Sequence, residues 1–438
     1  MRGLRSTLVL LVILAGLVGY IYFVDSKKPA AGTDTKEKVF ANVSANDVDA
    51  VEFKSADGQT SKVEKVGDQW KLVDPVQADA DSAEVSAVTN AIATLDVDRV
   101  VDENPKDLKA YGLDPARVDI GFRVKGQKDA RHLLVGEKTT TGGDLYARLP
   151  NQKRVFLINS YNDATFNKNT FALRDKKIVK VERDKVDGLE IQDGSNVVQF
   201  ARSGTDWKIV KPISARADYG QLEGIVERLA TAQMQAIVSD SDADLKKYGL
   251  DKPSTTIILT TGGTQTALLL GNTENAVIYA KNSTRPMIFT VAPTLKTDAI
   301  KELGDYRRKD LFDARSFTAN RVELRRGAET ITLEKKTQNG KDTWSKADGK
   351  AADPMKVDAL LSQLTALRAQ SFDATPNAAL KSPALVATVS YDQNKTETVT
   401  LAKSDTDAFA ARSDEPGSAK LEMGSALDEV MKAIDGVK

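Results

Sequence analysis

The sequence predicts an α+β protein: an N-terminal transmembrane helix, then three tandem repeats, each a strand meander, a helix, further antiparallel strands and a short helix. Three observations lead to this prediction. Residues 8–24 form an apolar run of membrane length, the tryptophans are evenly spaced, and a helical apolar pattern recurs at nearly the same spacing. At 438 residues the chain is too long for one ordinary domain, so roughly two to four units are expected.

The first predicted element is a membrane anchor at residues 1–24, with the membrane contact at residues 7–24. The run LVLLVILAGLVGYIYFV at residues 8–24 would span roughly 25 Å as a helix, which is enough for a thin bilayer core. It ends in aromatic residues, which suit a membrane interface better than a cleavage site. We therefore expect an uncleaved single-pass anchor, and a signal peptide cut near residues 30–32 is the alternative.

The rest of the chain contains no second run of this length, so it is predicted to lie on one side of the membrane. Arg2 and Arg5 favour an N-terminus inside the cell, whereas Lys27 and Lys28 on the other flank oppose it. The predicted location is the bacterial cytoplasmic membrane, with the bulk of the protein extracytoplasmic, or periplasmic.

Composition excludes several classes of function. Lys plus Arg and Asp plus Glu both number 62, so no net field attracts nucleic acid, and no nucleic-acid partner is expected. The absence of cysteine excludes disulfides, thiolate metal sites and cysteine catalysis. A single histidine, His132, excludes a histidine-rich metal site.

The tandem repeat is the strongest pattern in the sequence. Trp70, Trp207 and Trp344 are the only tryptophans and are spaced 137 residues apart. The motif WKLVDP at residues 70–75 recurs as WKIVKP at residues 207–212. A second motif, LKAYGLDP at residues 108–115, recurs as LKKYGLDKP at residues 245–253, and only LKSP at residues 380–383 remains in the third copy. The third repeat is therefore degenerate.

A helix is predicted between the two motifs of each repeat because apolar residues recur there at helical spacing. Polar residues 79–82 and Asp218 suit helix N-termini in the first two copies. The apolar positions match from copy to copy: Val85, Val88 and Ile92; Leu222, Ile225 and Leu229; Val357, Leu360 and Leu364.

Short alternating runs before each helix predict a three-stranded meander, and four similar runs after it predict further antiparallel strands. A polar helix and a charged junction, residues 173–178 and 307–312, end the first two copies. We therefore expect a polar linker at residues 25–39, module 1 at 40–176, module 2 at 177–313 and module 3 at 314–438. The short junctions predict rigid packing between modules.

These features resemble the bacterial domain-of-unknown-function family 4340. The shared features are the anchor, W-K-[LI]-V-x-P, a helix, L-K-x-Y-G-L-[DE]-x-P and a short L-L-[VL]-G strand end. The resemblance covers residues 1–313 well and the last third weakly. It implies a companion of ABC-2-type export systems, with integral-membrane ABC-2-type transporter subunits or a gliding-type auxiliary protein as partners.

Two motifs were considered as reactive or metal-binding sites. His132 could act as a general base, but the second copy has Ala267 at its position, so no catalytic role is expected. Residues 240–244 begin like a calcium loop with Asp251 at its twelfth position, yet Leu245 replaces the required glycine. We expect these acidic residues to cap the following turn instead.

Other candidates also have structural interpretations. The TTTGG segment at residues 139–143 and the pair Gly262-Gly263 are expected to be hairpin turns. The tryptophans are either core residues, which we favour, or platforms for carbohydrate. Arg307, Arg308 and Lys309 could contact a partner or lipid headgroups, but a solvated junction is the default expectation. An enzyme would need a pair of carboxylates distant in sequence, such as Asp144 with Asp163, and nothing in the spacing selects such a pair.

Together these observations predict no catalytic, cofactor-binding or metal-binding residue. The expected function is a membrane-anchored, extracytoplasmic, non-enzymatic scaffold or partner-binding accessory protein of an ABC-type export or gliding-related complex. A cell-wall or polysaccharide-binding repeat protein is the alternative.

Overall fold

The computed structural model describes residues 36–338, 341–392 and 395–438, with the side chains of residues 337, 338 and 341 not described. The predicted α+β class is wrong, because strands account for 43% of the structure and helices for 22%. Each module is built on one nine-stranded antiparallel sheet, and the protein is mostly β. Two short strands beside each helix were missed, since such short segments show no alternation.

Each module contributes nine strands in the same order along the chain. The strands of module 1 are β1 (Val48–Lys54), β2 (Thr60–Val66), β3 (Gln69–Asp74), β4 (Ala78–Asp79), β5 (Arg99–Asp102), β6 (Val118–Val124), β7 (Arg131–Lys138), β8 (Asp144–Arg148) and β9 (Val155–Asn159). Those of module 2 are β10 (Gly188–Asp193), β11 (Asn196–Ser203), β12 (Asp206–Lys211), β13 (Ala215–Arg216), β14 (Ala236–Ser239), β15 (Thr255–Thr261), β16 (Thr264–Glu274), β17 (Val277–Asn282) and β18 (Ile288–Val291). Those of module 3 are β19 (Ala319–Arg326), β20 (Glu329–Gln338), β21 (Lys341–Lys346), β22 (Ala351–Ala352), β23 (Ala369–Asp373), β24 (Leu385–Tyr391), β25 (Lys395–Ser404), β26 (Asp407–Arg412) and β27 (Ser418–Leu421).

The helices also repeat, with one long helix in the middle of each module. They are α1 (Ser82–Thr94), α2 (Asn162–Phe166), α3 (Thr170–Leu173), α4 (Tyr219–Thr231), α5 (Thr294–Ala299), α6 (Leu303–Tyr306), α7 (Pro354–Thr365) and α8 (Ser425–Gly436). An aspartate caps each long helix: Asp81, Asp218 and Asp353 accept hydrogen bonds from backbone N–H groups of the first turn. The N-termini predicted at residues 79–82 and Asp218 are confirmed.

The strand order places the long helix across the sheet. In module 1 the order is β4-β3-β2-β1-β6-β7-β8-β9-β5, and modules 2 and 3 repeat it. Because β4 and β5 lie at opposite edges, α1 must cross one face of the sheet to connect them. Its apolar side then packs on that face, where Val85, Val88 and Ile92 are buried.

Each module has its own hydrophobic core, with one tryptophan in each of the three buried clusters. The predicted apolar register of the three long helices is confirmed, since each of its positions is buried. By compactness the chain divides into two units, Met1–Asp175 and Lys176–Lys438, so modules 2 and 3 share one unit.

The Y-G-L motif and the L-L-x-G strand end are explained by one close contact. Gly112 has φ of 66°, and a Cβ there would lie 2.9 Å from the backbone nitrogen of Glu137. A Cβ at Gly136 would in turn overlap the carbonyl oxygen of Tyr111. Gly271 faces the carbonyl of Tyr248 in the same way. The turn therefore rests directly on the strand end, and both places require glycine.

Module 3 has lost both glycines together. Ser382 ends the corresponding turn with φ of −128°, outside the left-handed region. Ala402, which follows Leu401 as Gly271 follows Leu270, brings a Cβ to the strand end. The degenerate LKSP motif is thus accompanied by a matching change in the strand that it touches.

The described chain begins where the predicted linker at residues 25–39 meets module 1. Val97 donates to Glu37 at 2.8 Å and Val39 donates to Leu95 at 2.9 Å. The predicted membrane anchor at residues 1–24 lies outside the described residues. Among the residues that are described, no helix is both long and apolar enough to cross a membrane.

Candidate functional site

Residues 306–314, called the linker from here on, form a segment between modules 2 and 3 that pairs with both modules. Asp218 donates to the carbonyl of Tyr306 at 2.7 Å, and Arg308 donates to that of Arg216 at 3.0 Å. Farther along, Leu311 donates to Leu367 at 3.0 Å and Ala369 donates to Lys309 at 2.8 Å. The linker therefore extends one edge of each sheet, which restricts rotation about the junction.

Side chains of the linker and the neighbouring edge converge on one buried carboxylate. Glu415 accepts from Nε of Arg216 at 2.6 Å and from a terminal nitrogen of Arg307 at 2.7 Å. The side chains of Arg307 and Glu415 are only 6% and 5% exposed. The guanidinium of Arg307 also lies 3.9 Å from the centre of the Phe372 ring. One carboxylate of module 3 thus neutralises two arginines of module 2.

A second carboxylate, Glu397, binds the end of the linker to module 3. Glu397 accepts from the backbone N–H groups of Asp313 at 2.9 Å and Ala314 at 2.8 Å. Arg412 donates to Glu397 at 2.9 Å and to the carbonyl of Leu311 at 2.6 Å. The end of the linker is thereby bound to strands β25 and β26.

The charges at this junction stabilise one another. Burial alone would lower the pKa of Arg412, but hydrogen bonds with Asp414 and Glu397 outweigh it and raise that pKa above its ordinary value. Burial is the largest single influence on Asp414 and would raise its pKa, yet the hydrogen bond and the charge of Arg412, together with the charge of Arg216, outweigh it and lower that pKa. Both groups therefore stay charged at neutral pH.

A polar cleft of about 630 Å³ opens beside the ion pairs. Its walls come from β12, the first turn of α4, the linker and the ends of β24 and β25. Asp310, in this wall, accepts from Arg368 at 2.8 Å and from Arg315 at 3.0 Å. Several charged groups of the cleft therefore pair with one another, and its lining is a polar surface.

The structure places His132, Asp144 and Asp163 in module 1, where His132 and Asp163 have charged partners. His132 lies in β7, and its Nδ1 is 2.9 Å from Oδ1 of Asp119 across the sheet. Asp163 is paired with Arg117 and, at 3.4 Å, with Lys138. Asp144 begins β8, and Asp163 lies in α2.

The acidic stretch at residues 240–251 is not gathered into a metal site, since no cluster of three or more metal-binding side chains occurs among the described residues. The predicted acidic cap of the following turn is wrong at Asp244. Asp244 precedes the Leu245–Tyr248 turn with φ of 61°, and its side chain makes no capping hydrogen bond. In module 1, by contrast, Asp107 accepts from the backbone of Lys109 at 2.9 Å.

The hairpin turns and the core tryptophans are confirmed. Thr139 donates to the carbonyl of Asp144 at 2.9 Å and closes the TTTGG turn, and Gly262 and Gly263 join β15 to β16. Trp70, Trp207 and Trp344 are 7%, 2% and 4% exposed, so their faces are not displayed to solvent.

The expectation of a solvated junction is wrong for Arg307, which is buried, whereas Arg308 and Lys309 are partly exposed. Glu397, Arg412 and Glu415 were not predicted from the sequence. One signal could have found Arg412: it occupies the strand position that Asn282 has in module 2, so this position is polar in both copies. Asn282 donates to the carbonyl of Ile178 at 2.8 Å as Arg412 donates to that of Leu311 at 2.6 Å, so both side chains bind the chain segment that leads into their own module.

Tyr306, the first residue of the linker, leads to a prediction about stability at alkaline pH. Burial and nearby carboxylates raise the pKa of Tyr306 to about 12. Because the unfolded tyrosine ionises near 10, the free energy of unfolding should fall as pH rises from 10 towards 12, by about 1 kcal/mol per pH unit. Urea unfolding at pH 9, 10 and 11 measures this fall. Tyr306→Phe should show a shallower slope, and an equal slope would contradict the assignment.

Comparison with known proteins gives a family but no function. No curated protein matches the sequence. Two crystal structures from Pseudomonas aeruginosa are similar at 9% identity: the DNA polymerase sliding clamp with ligand and the DNA polymerase III subunit beta. The alignments cover 88% of this chain and 93% and 94% of those chains, with a TM-score of 0.16 in each case. A TM-score this low carries no argument about fold or function.

The family model described as "Domain of unknown function (DUF4340)" matches residues 70–213 and 207–386. Each match begins at the tryptophan of one module and continues into the next, so the family unit spans a junction. Since these residues make up most of the chain, the protein belongs to the DUF4340 family.

Proposed function

We propose that the protein is a membrane-anchored, extracytoplasmic, non-enzymatic accessory protein that binds subunits of an ABC-type export or gliding-related complex at the bacterial cytoplasmic membrane. The junction between modules 2 and 3 is the observation that carries the proposal. Its linker pairs with both sheets, and Glu415 binds two arginines from the neighbouring module. A rigid arm of this kind is what a scaffold requires, because fixed spacing lowers the entropy lost on binding a partner.

The test is co-purification from detergent extract. The tagged full-length protein, crosslinked in cells, should recover permease and ATPase subunits. Glu415→Gln, which removes the charge while keeping the shape, should reduce that recovery if the rigid junction matters. Glu182→Gln, at an exposed pair with Lys185, is the matched control and should leave it unchanged. Repeated failure of the unmodified protein to recover transporter subunits would count against the proposal.

The polysaccharide-binding alternative needs displayed aromatic faces, and the tryptophans do not supply them. Trp207 is buried and its Nε1 donates to Glu223 at 2.8 Å. We expect Trp207→Phe to lower the free energy of unfolding by about 2 kcal/mol, because it leaves a small cavity and removes this hydrogen bond. Urea unfolding followed by fluorescence checks the value. An unchanged stability together with weakened binding to cell-wall glycans would favour the alternative.

A further inference from the structure

A groove of about 870 Å³ lies within module 2, apart from the junction cleft. It is bounded by the turn between β10 and β11 on one side and by the segment between α5 and α6 on the other. Four apolar residues that form its walls are Val197, Val198, Ile300 and Leu303, and Tyr306 lies at its base. Val197 is 37% exposed, so part of this apolar surface faces water.

The same place in module 1 is sealed by polar contacts. The backbone N–H of Ala56, in the turn between β1 and β2, donates to Oδ1 of Asn167 at 2.9 Å. The hydroxyls of Ser61 and Thr170 lie 2.8 Å apart. The hairpin of module 1 is therefore bound to the segment between α2 and α3.

Module 2 replaces each of the three polar side chains in these contacts with an apolar one. Val198 pairs with Ile191 as Ser61 pairs with Phe53 in module 1. Leu303 begins α6 as Thr170 begins α3. Likewise Ile300 follows α5 directly, where Asn167 follows α2. The seal is thus absent at the positions where the groove opens.

Module 3 links the corresponding elements by ion pairs. Arg326, at the end of β19, lies 3.0 Å from Asp435 in α8. Glu329, at the start of β20, lies 2.8 Å from Lys438. In module 2 the corresponding contact is an ion pair of Lys296 in α5 with Asp193 at 3.4 Å, and the groove lies beside Asp193 with apolar side chains in place of the hydrogen bonds of module 1.

The groove also borders a free strand edge. Strand β12 stops pairing at Lys211, opposite Gln199, so Asn196, Val197 and Val198 have β10 on one side only in the described chain. The charges lining the groove balance, with Asp193 and Glu302 against Lys211 and Lys301. A neutral lining beside a strand edge and apolar walls suits an extended peptide, because its backbone can pair while its side chains are buried.

We propose that this groove binds an extended, uncharged segment of a partner protein that carries aliphatic side chains. The segment would add a short strand beside residues 196–198 and place its aliphatic side chains against Val198 and Leu303. The inference rests on the proposed partner-binding function, and it assigns that function a surface separate from the junction.

The test uses the full-length chain in detergent and a fluorescein-labelled, amidated pentapeptide, SVLVS, with micelles alone as the blank. Fluorescence anisotropy should show saturable binding. The double variant Val198→Ser with Leu303→Thr installs the residues of module 1 and should weaken binding at least tenfold. Val197→Lys, on the exposed wall, should weaken it similarly without a change in the core. Val66→Ser, at a valine that is 59% exposed in module 1, is the matched control and should bind as the unmodified protein does.

Absence of saturable binding above the micelle blank would overturn the proposal, and so would equal affinity of the double variant. Binding of decanoate in place of the peptide would show a site for an acyl chain and would overturn it as well. The two hypotheses remain separable. Peptide binding without recovery of transporter subunits counts against the proposed complex alone, and recovery without peptide binding counts against the groove alone.

Discussion

Replacing Glu415 with alanine is expected to lower the free energy of unfolding of the second unit by about 3–5 kcal/mol. The carboxylate binds Arg216 and Arg307, whose side chains are 13% and 6% exposed. Without it, Arg307 stays buried without the carboxylate that it binds, whereas Arg216 is left with Asp313 at 2.7 Å as its counter-charge. The cost of the buried charge left on Arg307 is larger than the net value of the original pairs. Urea unfolding followed by the fluorescence of Trp207 and Trp344 measures the loss.

Hydrogen exchange should locate the effect. Amides of the linker and of residues 413–417 should exchange faster in Glu415→Ala, since the contact that joins them is gone. Amides of module 1 should be unaffected, because that unit does not contain the pair. Glu182→Gln, an exposed carboxylate, should change the free energy of unfolding by less than about 0.5 kcal/mol. A loss of the same small size for Glu415→Ala would show that the junction is not held by this carboxylate.

The sequence predicted local features well because they depend on nearby residues. Asp81 and Asp218 cap helices, Gly262-Gly263 makes a tight turn, and the apolar register of the long helices faces the cores. Each of these follows from the conformations and contacts of residues a few positions apart.

The sheet order was beyond the reach of this reasoning. Strand β1 pairs with β6, although α1 lies between them in the sequence, and β5 pairs with β9 at one edge of the sheet. The strand order therefore depends on contacts between residues that are distant in sequence. The α+β class was wrong because the single helix that crosses each sheet was counted as a structural layer equal to the sheet. The groove of module 2 could not be predicted either, because in the sequence Val198 and Leu303 resemble ordinary core residues.

The second large effect concerns the glycine at the strand end. Gly271→Ala is expected to lower the free energy of unfolding by about 3 kcal/mol, because the added Cβ would overlap the carbonyl of Tyr248. That carbonyl belongs to a turn whose Gly249 has φ of 69° and lies against Asn272, so the backbone has little room to move. Urea unfolding measures the loss, and hydrogen exchange should show faster opening of the turn.

Module 3 offers the matched control in the same unit. Ala402 already carries a Cβ at the corresponding place, beside the turn that ends at Ser382. Ala402→Gly should cost only about 0.5–1 kcal/mol, the usual penalty for glycine within a strand. If Gly271→Ala were as mild as this control, the turn and the strand end would not be in the tight contact that links the two repeated motifs. A large loss at Gly271 alone would show that the Y-G-L turn and the strand-end glycine form one packing unit, which module 3 has exchanged as a pair.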